Sequence, residues 1–389
     1  MKIENEIKIL WITERFPPLT GGMAVSAERQ VDGLRKTGME IDVLVFVAHD
    51  ADAVNLKRNK KDGGSTIFVR HRDEYGNASQ RAWREVFSLN SVRKYDLVFG
   101  FGAGFPGYVA GTYAAWLGVP SVVSVRGNDF DRDWFEPKRS FFVKEALARA
   151  DAVATVTIEK RAKITALFPG KNVFWTPNGI NAGLFDLLPD EKEECLTLRE
   201  EMGNDGRRII GLFGELKYKK RIPMWLSAVR EAGLIDQFSL IIAGKMDAKT
   251  DAILKDSMLS PPSKHFSFRP QDKLPPVYAA CDFIAIPSLF EGFPNVLLEA
   301  MASGCIPIVS DAGAMKDVVV HGKTGFLFPA ENREKAGQAT KEALALSDEA
   351  LMEMKSEVKQ YVREQYSIEN EIRILKDRIA DVLKEKSTV

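Results

Sequence analysis

A chain of 389 residues, 45% hydrophobic and 28% charged, has the length of two ordinary domains and the composition of a globular protein, which excludes disordered and fibrous classes. Lys and Arg total 54, as do Asp and Glu, so no bulk charge points to a nucleic-acid partner. The balance is uneven along the chain: 26 basic and 21 acidic residues through Thr176, against 28 and 33 beyond it, which reads either as scatter or as a basic patch on the first half. Cys195, Cys281 and Cys305 are far apart, lack metal-ligand spacing and fit buried thiols in a reducing cytoplasm. The first ten residues carry acids instead of the apolar core of a leader, and no run approaches the roughly 20 apolar residues of a membrane span. The expectation is a cytoplasmic chain.

In chain order, short runs rich in Val, Ile and Phe stand at 7–12, 41–47, 97–101, 121–125, 152–156 and 173–175. Segments of helical period lie between them at 23–37, 80–89, 106–117, 141–149 and 158–167. The second half repeats the rhythm, with strands at 209–213, 239–243, 265–268, 283–287 and 306–310. Its helices are expected at 223–232, 251–259, 275–280, 295–303 and 315–320. Strands apolar on both faces, alternating with helices, are the pattern of parallel sheets covered on both sides. The chain therefore reads as α/β, with two doubly wound Rossmann-like domains facing a central cleft. The polar stretch 177–208 opens with Pro177-Asn178-Gly179, a turn sequence, and is the best boundary. It gives a first domain of 1–176 and a second of 177–365. The charged, helical tail from Asp348 has no Gly or Pro to stop it, and its end, about 366–389, is expected to pack back on the first domain.

Ligands are expected in the cleft, on loops that follow strands. Gly102-x-Gly104-x-x-Gly107 imitates a dinucleotide fingerprint, but it does not follow the first strand of its domain. The next strand ends in Val125-Arg126 where that fingerprint needs an acid, so a flexible cleft loop is the better reading. The stronger signal is Glu291 and Glu299, in a loop and the helix it enters near Asn295. A helix start offers unsatisfied N–H groups to an anion, and a carboxylate accepts from vicinal sugar hydroxyls. Spacing alone leaves open a pair of surface glutamates.

The surrounding residues settle more. The stretch from Tyr278 to Phe328, YAACDFIAIPSLFEGFPNVLLEAMASGCIPIVSDAGAMKDVVVHGKTGFLF, resembles the donor-binding region of the retaining, GT-B-fold glycosyltransferases of family 4, with Glu291 and Glu299 matching their E-x7-E motif. Pro17-Pro18-x-x-Gly21-Gly22 resembles the family's glycine-rich loop, Asn178-Gly179-Ile180 the opening of its second domain, and Gly214-x-Leu216-x-x-x-Lys220 its G-R-L-x-x-x-K segment. The resemblance spans nearly the whole chain. It implies transfer of a sugar from a nucleotide diphosphate sugar, UDP favoured and GDP the alternative, to an acceptor hydroxyl with retention and without a metal or other cofactor.

By the same resemblance Lys220 contacts the diphosphate and backbone N–H groups at Asn295 and Val296 add to the anion site. Glu299 holds the ribose hydroxyls, Glu291 the donor sugar, and Phe293 either lines the sugar pocket or packs on a neighbouring helix. Gly21 and Gly22 permit close approach to phosphate or sugar, or form an ordinary turn. Arg269 sits where nucleobase contacts fall, largely through backbone. Two positions depart from the pattern: Glu215 replaces the usual arginine, and Arg126 stands in the loop where many members carry histidine. Arg126 binds phosphate or acceptor in one reading and pairs with Asp129 or Asp131 in the other. His49, His71, His265 and His321 are scattered and give no catalytic dyad. The acceptor is expected on the first domain, in cell-envelope glycan, glycolipid or polysaccharide synthesis. Basic and apolar residues interleave from Arg132 to Lys144, including Trp134, Phe135, Phe141 and Phe142, and suggest weak contact with the inner membrane face, unless those rings pack into the core. Two other readings are a nucleotide-sugar epimerase of the same architecture, which would need an acid/base set not evident here, and a catalytically silent nucleotide-sugar-binding subunit.

Overall fold

The computed structural model describes residues 7–387 apart from 20, 48–56, 62, 72–73, 204, 257–260 and 268. The chain divides into two compact units, Met1–Asn178 with Ile368–Val389, and Gly179–Ser367.

The first unit is built on eight strands: β1 (Lys8–Thr13), β2 (Glu40–Val47), β3 (Lys57–Lys61), β4 (Gly64–Arg70), β5 (Leu97–Phe101), β6 (Ser121–Val125), β7 (Ala152–Thr155) and β8 (Asn172–Trp175). They lie in the order β3-β4-β2-β1-β5-β6-β7-β8. Seven run parallel, and β3 closes the edge antiparallel to β4. Every residue of β1 and β5 is buried, as central strands covered on both faces require. Trp11 stacks on Phe99 with ring centroids 4.0 Å apart, in the core under the helix Gly22–Lys36. The sequence reading had no strand at β3 or β4.

The Gly102–Gly104–Gly107 pattern has a packing cause. A Cβ at Gly107 would lie 2.8 Å from the Gly102 carbonyl oxygen and 3.0 Å from Val123 Cγ1, so glycine lets the helix Phe105–Leu117 press onto the sheet.

The second unit holds β9 (Arg208–Phe213), β10 (Phe238–Ala243), β11 (Ser263–Phe266), β12 (Phe283–Ile286), β13 (Ile306–Ser310) and β14 (Phe326–Phe328), all parallel in the order β11-β10-β9-β12-β13-β14. Asp282, buried just before β12, accepts from the Ile209 N–H and pairs with Arg199 and Lys355. Burial alone would raise its pKa, but Lys355 and Arg199 outweigh that and hold it below the usual carboxylate range.

The boundary stretch 177–208 contains the helix Pro189–Gly203, whose Cys195 and Leu198 are buried. The tail forms two helices, Asp348–Gln365 and Ile368–Ser387. They part at Tyr366 and Ser367, where the Ile180 N–H donates to the Tyr366 carbonyl at 2.7 Å and Ile180 bridges Ser367. The second of these helices belongs to the first unit. Its Ile372, Leu375, Ile379 and Val382 join the core around Trp11, and Glu371 accepts from Arg29 Nε at 2.6 Å and Gln30 Nε2 at 2.7 Å. No helix among the described residues is long and apolar enough to cross a membrane.

Candidate active site

In the second unit the strand order reverses between β9 and β12. Loops leaving such neighbours at their carboxyl ends diverge, and an open parallel sheet holds ligands in the crevice between them. The loop after β9 carries Lys220 in a single 3-10 turn, Tyr218–Lys220, and the loop after β12 carries Glu291. The Leu289 N–H donates to the Lys219 carbonyl at 2.8 Å and ties the two loops together.

Lys220 Nζ donates to Glu291 Oε1 at 2.6 Å, and Ser288 Oγ donates to the same oxygen at 3.0 Å. The Lys220 and Glu291 side chains are only 11% and 8% exposed, so the ion pair is nearly buried and loss of either partner would leave the other poorly compensated. Lys219 Nζ stands 4.0 Å from the second Glu291 oxygen. This is a nearly buried cation, at the end of a largely exposed loop, held by a carboxylate that a ligand phosphate could replace.

Glu299 forms a separate set. It lies in the second turn of the helix Asn295–Ala302, where Tyr278 Oη donates to Oε2 and Gln271 Nε2 to Oε1, each at 2.8 Å. Burial, reinforced by Glu299, holds the Tyr278 hydroxyl well above its usual pKa, so it stays a donor. Each carboxylate oxygen can accept from more than one donor. A bound diol would therefore add to these bonds or displace Gln271. At the helix start, Pro294 cannot donate, its carbonyl accepts from the Leu297 N–H at 3.0 Å, and the first turn carries no acid to occupy the positive end of the dipole.

The loop after β13 braces the Glu291 loop from behind. The Ala314 N–H donates to the Gly292 carbonyl at 2.9 Å, and a Cβ on Gly313, at φ +59°, would fall 2.1 Å from the Glu291 carbonyl oxygen. Gly313→Ala should therefore displace Glu291 and lower turnover roughly tenfold or more, a small misplacement being enough for such losses. Unchanged kinetics in the variant would refute this bracing role.

Other sequence-predicted residues are placed as follows. The Arg269 side chain pairs with Glu194 and lies 5.2 Å from the Phe266 ring centroid. The Phe293 ring is 6.1 Å from that of Tyr366. Glu215 is exposed and bonded to Lys217 at 2.7 Å, which holds its pKa below the usual range. In the first unit, Gly21 and Gly22 are exposed at the start of the helix Gly22–Lys36, and a Cβ on either would meet nothing within 4 Å. Arg126, at the end of β6, is buried; its guanidinium donates to Asn178 and lies 4.7 Å from the Phe101 ring centroid. Burial pulls its pKa down to about 10 against the raising effect of Glu371, which still leaves it a cation at neutral pH. Asp129 does bond at Arg126, but through the backbone N–H groups of Arg126 and Gly127. His71 stacks on Tyr75, His265 bonds to the Gly244 carbonyl, His321 meets Glu342, and His49 lies outside the described residues.

Comparison with known families matches both halves of the chain. Residues 21–179 fit the model of the glycosyl transferase 4-like domain, and residues 197–365 that of the glycosyl transferases group 1. The chain belongs to the GT-B-fold glycosyltransferases of family 4. This glycosyltransferase is 25% identical over 384 residues to an uncharacterized glycosyltransferase of Methanocaldococcus jannaschii, covering 94% of this chain and 95% of the relative. It is also 25% identical over 350 residues to a GDP-mannose-dependent alpha-mannosyltransferase of Mycolicibacterium smegmatis, covering 85% and 86%. Among solved structures, the Anabaena HepE protein in complex with UDP shares the fold, with a TM-score of 0.75, 16% identity and coverage of 96% of this chain and all of that one.

For this glycosyltransferase, sequence reasoning missed Gln271, Tyr278, Ser288 and Gly313. Tyr278 stood inside the quoted motif without a role, and a buried tyrosine 21 residues before a buried glutamate is a signal only once the chain is folded.

Proposed function

We propose that this glycosyltransferase moves a sugar from a nucleotide diphosphate sugar to an acceptor hydroxyl with retention at the anomeric carbon and without a metal ion. UDP is the favoured nucleotide and GDP the alternative; the HepE protein holds the first, and the mycobacterial relative depends on a GDP-sugar. The observation that carries the reading is the Lys220–Glu291 pair at the β9/β12 switch point, beside a helix start without acids and near a separately held Glu299.

In this reading Lys220 and the N–H groups of Asn295 and Val296 receive the diphosphate as negative charge develops on it. Glu291, released from Lys220, accepts from donor-sugar hydroxyls, with Phe293 beside the sugar. Glu299 accepts from the ribose, and Arg269 marks the nucleobase end. Gly21, Gly22 and Arg126 serve phosphate or acceptor from the first unit. The bond from the anomeric carbon to the diphosphate oxygen breaks as the acceptor oxygen bonds on the same face. The acceptor proton passes to the departing phosphate oxygen, so no protein nucleophile is needed. The acceptor is assigned to envelope glycan, glycolipid or polysaccharide, bound by the first unit at the inner membrane face.

A panel of UDP- and GDP-sugars with EDTA present tests this. Slow hydrolysis of one donor, with retained configuration in the first-formed sugar by NMR, is expected. Epimerised donor would establish the isomerase instead, and thermal stabilisation without turnover a silent binder.

A further inference from the structure

The helix Phe105–Leu117 contains no charged residue. Its Val109, Ala110, Tyr113 and Ala114 are buried against the sheet, yet Trp116, stacked on Tyr113 at the margin of that face, is 52% exposed. A helix without a polar face is normally covered all round. Here the outward row Tyr108, Thr112 and Trp116 follows a spacing of four residues and is extended by aromatic rings from both neighbouring helices. Trp83 of the helix Tyr75–Val92 meets Trp116 edge-on at 4.8 Å, and Phe87, 59% exposed, lies 6.1 Å beyond it. On the other side Phe141 of the helix Pro137–Arg149, 54% exposed, lies 5.6 Å from Tyr108.

The charges around this band are one-sided. The three helices carry Arg81, Arg84, Lys138, Arg139, Lys144 and Arg149 against Glu85 and Glu145; Arg139 pairs with Asp133 and Arg149 with Glu145, and an excess of cations remains. Arg149 sits 5.7 Å from the Tyr108 ring centroid. Tryptophan and tyrosine beside arginine and lysine suit a headgroup boundary, where rings enter the apolar edge and cations reach phosphates. A second copy of the chain would bring the same excess of cations against itself.

We propose that the band Phe87–Trp83–Trp116–Tyr108–Phe141 is the surface by which the first unit docks on an anionic lipid layer. This rests on the membrane contact proposed above but centres it on the helix Phe105–Leu117, keeping only Phe141 of the rings in the 132–144 segment. There Trp134 packs on Phe130 and Phe168, and Phe142 on Phe105, leaving Phe135 and Phe141 outward.

The test is flotation of the full chain with vesicles of phosphatidylcholine plus phosphatidylglycerol and of phosphatidylcholine alone, at low and high salt. Wild type and Phe135→Ser should float with the anionic vesicles at low salt only. The double variant Phe87→Ser/Trp116→Ser should lose about tenfold in bound fraction. Its circular dichroism and nucleotide binding should match wild type, since both residues are exposed and neither belongs to the donor site. If the double variant floats like wild type, the band is not the surface although the membrane contact stands. If wild type fails to float, or floats equally with neutral vesicles, both fall. A dimer in sedimentation that dissociates in the double variant, without flotation, would assign the band to a second copy and overturn the proposal.

Discussion

Lys220→Ala is expected to lower turnover by roughly 10²–10³-fold, the usual cost of losing one preorganised charge that stabilises a leaving group. Activity of the wild type should meanwhile survive EDTA, because in the proposed reading the cation that meets the diphosphate is a side chain. The structure adds a complication. Lys220 and Glu291 are both nearly buried, and removing one member of such a pair costs about 3–5 kcal/mol in stability. Ser288 still donates to Glu291, and Lys219 stands 4.0 Å away, so the lower end of that range is expected. The double variant Lys220→Ala/Glu291→Gln separates the effects: it should regain melting temperature without regaining turnover. Near wild-type turnover in folded Lys220→Ala, or a strict need for magnesium or manganese, would defeat the assignment.

Glu299→Ala should weaken binding of a nucleoside diphosphate by about 2–4 kcal/mol, through loss of two charge-assisted bonds to the ribose. That corresponds to roughly 30- to 1,000-fold in Kd, within reach of titration calorimetry. The same truncation removes the acceptor of the buried Tyr278 hydroxyl, at a cost of about 1–3 kcal/mol in stability. Glu299→Gln keeps an acceptor oxygen for Tyr278 while abolishing the charge. It should therefore melt close to wild type yet still bind the nucleotide more weakly. A folded Glu299→Ala protein with unchanged affinity would remove Glu299 from the site.

The α/β architecture was legible because central parallel strands such as β5 and β12 are apolar throughout and helices fall between them. Glu291, Glu299 and Lys220 could be singled out as candidates because they stand after strands in a recognisable motif, and the structure gives each a hydrogen-bonded, nearly buried setting. What escaped the sequence reading depends on distant parts of the chain. Gly313 reads as one more turn glycine until the Glu291 carbonyl is seen 2.1 Å from where its Cβ would be. The helix Pro189–Gly203 is so polar that two buried side chains, Cys195 and Leu198, are its entire inward signal. The break at Tyr366 and Ser367 has neither glycine nor proline to mark it. It is fixed by tertiary bonds, to Ile180 and from the Tyr366 hydroxyl to the Asp317 carbonyl at 3.0 Å. β4 begins Gly-Ser-Thr, which locally resembles a turn more than a buried strand.

The helix Ile368–Ser387 has a consequence for biosynthesis. It supplies Ile372, Leu375, Ile379 and Val382 to the first unit's core, with Ile372 seated so closely that a Cβ on Gly33 would lie 2.4 Å from it. A ribosome, however, delivers residues 179–367 before this helix. Domains generally fold in order of synthesis. Here the unit made first must wait, with part of its apolar interior uncovered, while the later one is translated and folds. A released chain truncated after residue 367 should thus present a protease-resistant second unit beside a digestible first one, and equal resistance of the two would show that the last helix is dispensable. The interval between those events is when this protein most needs a chaperone, and shortening it by faster translation of the second unit should raise its folding yield.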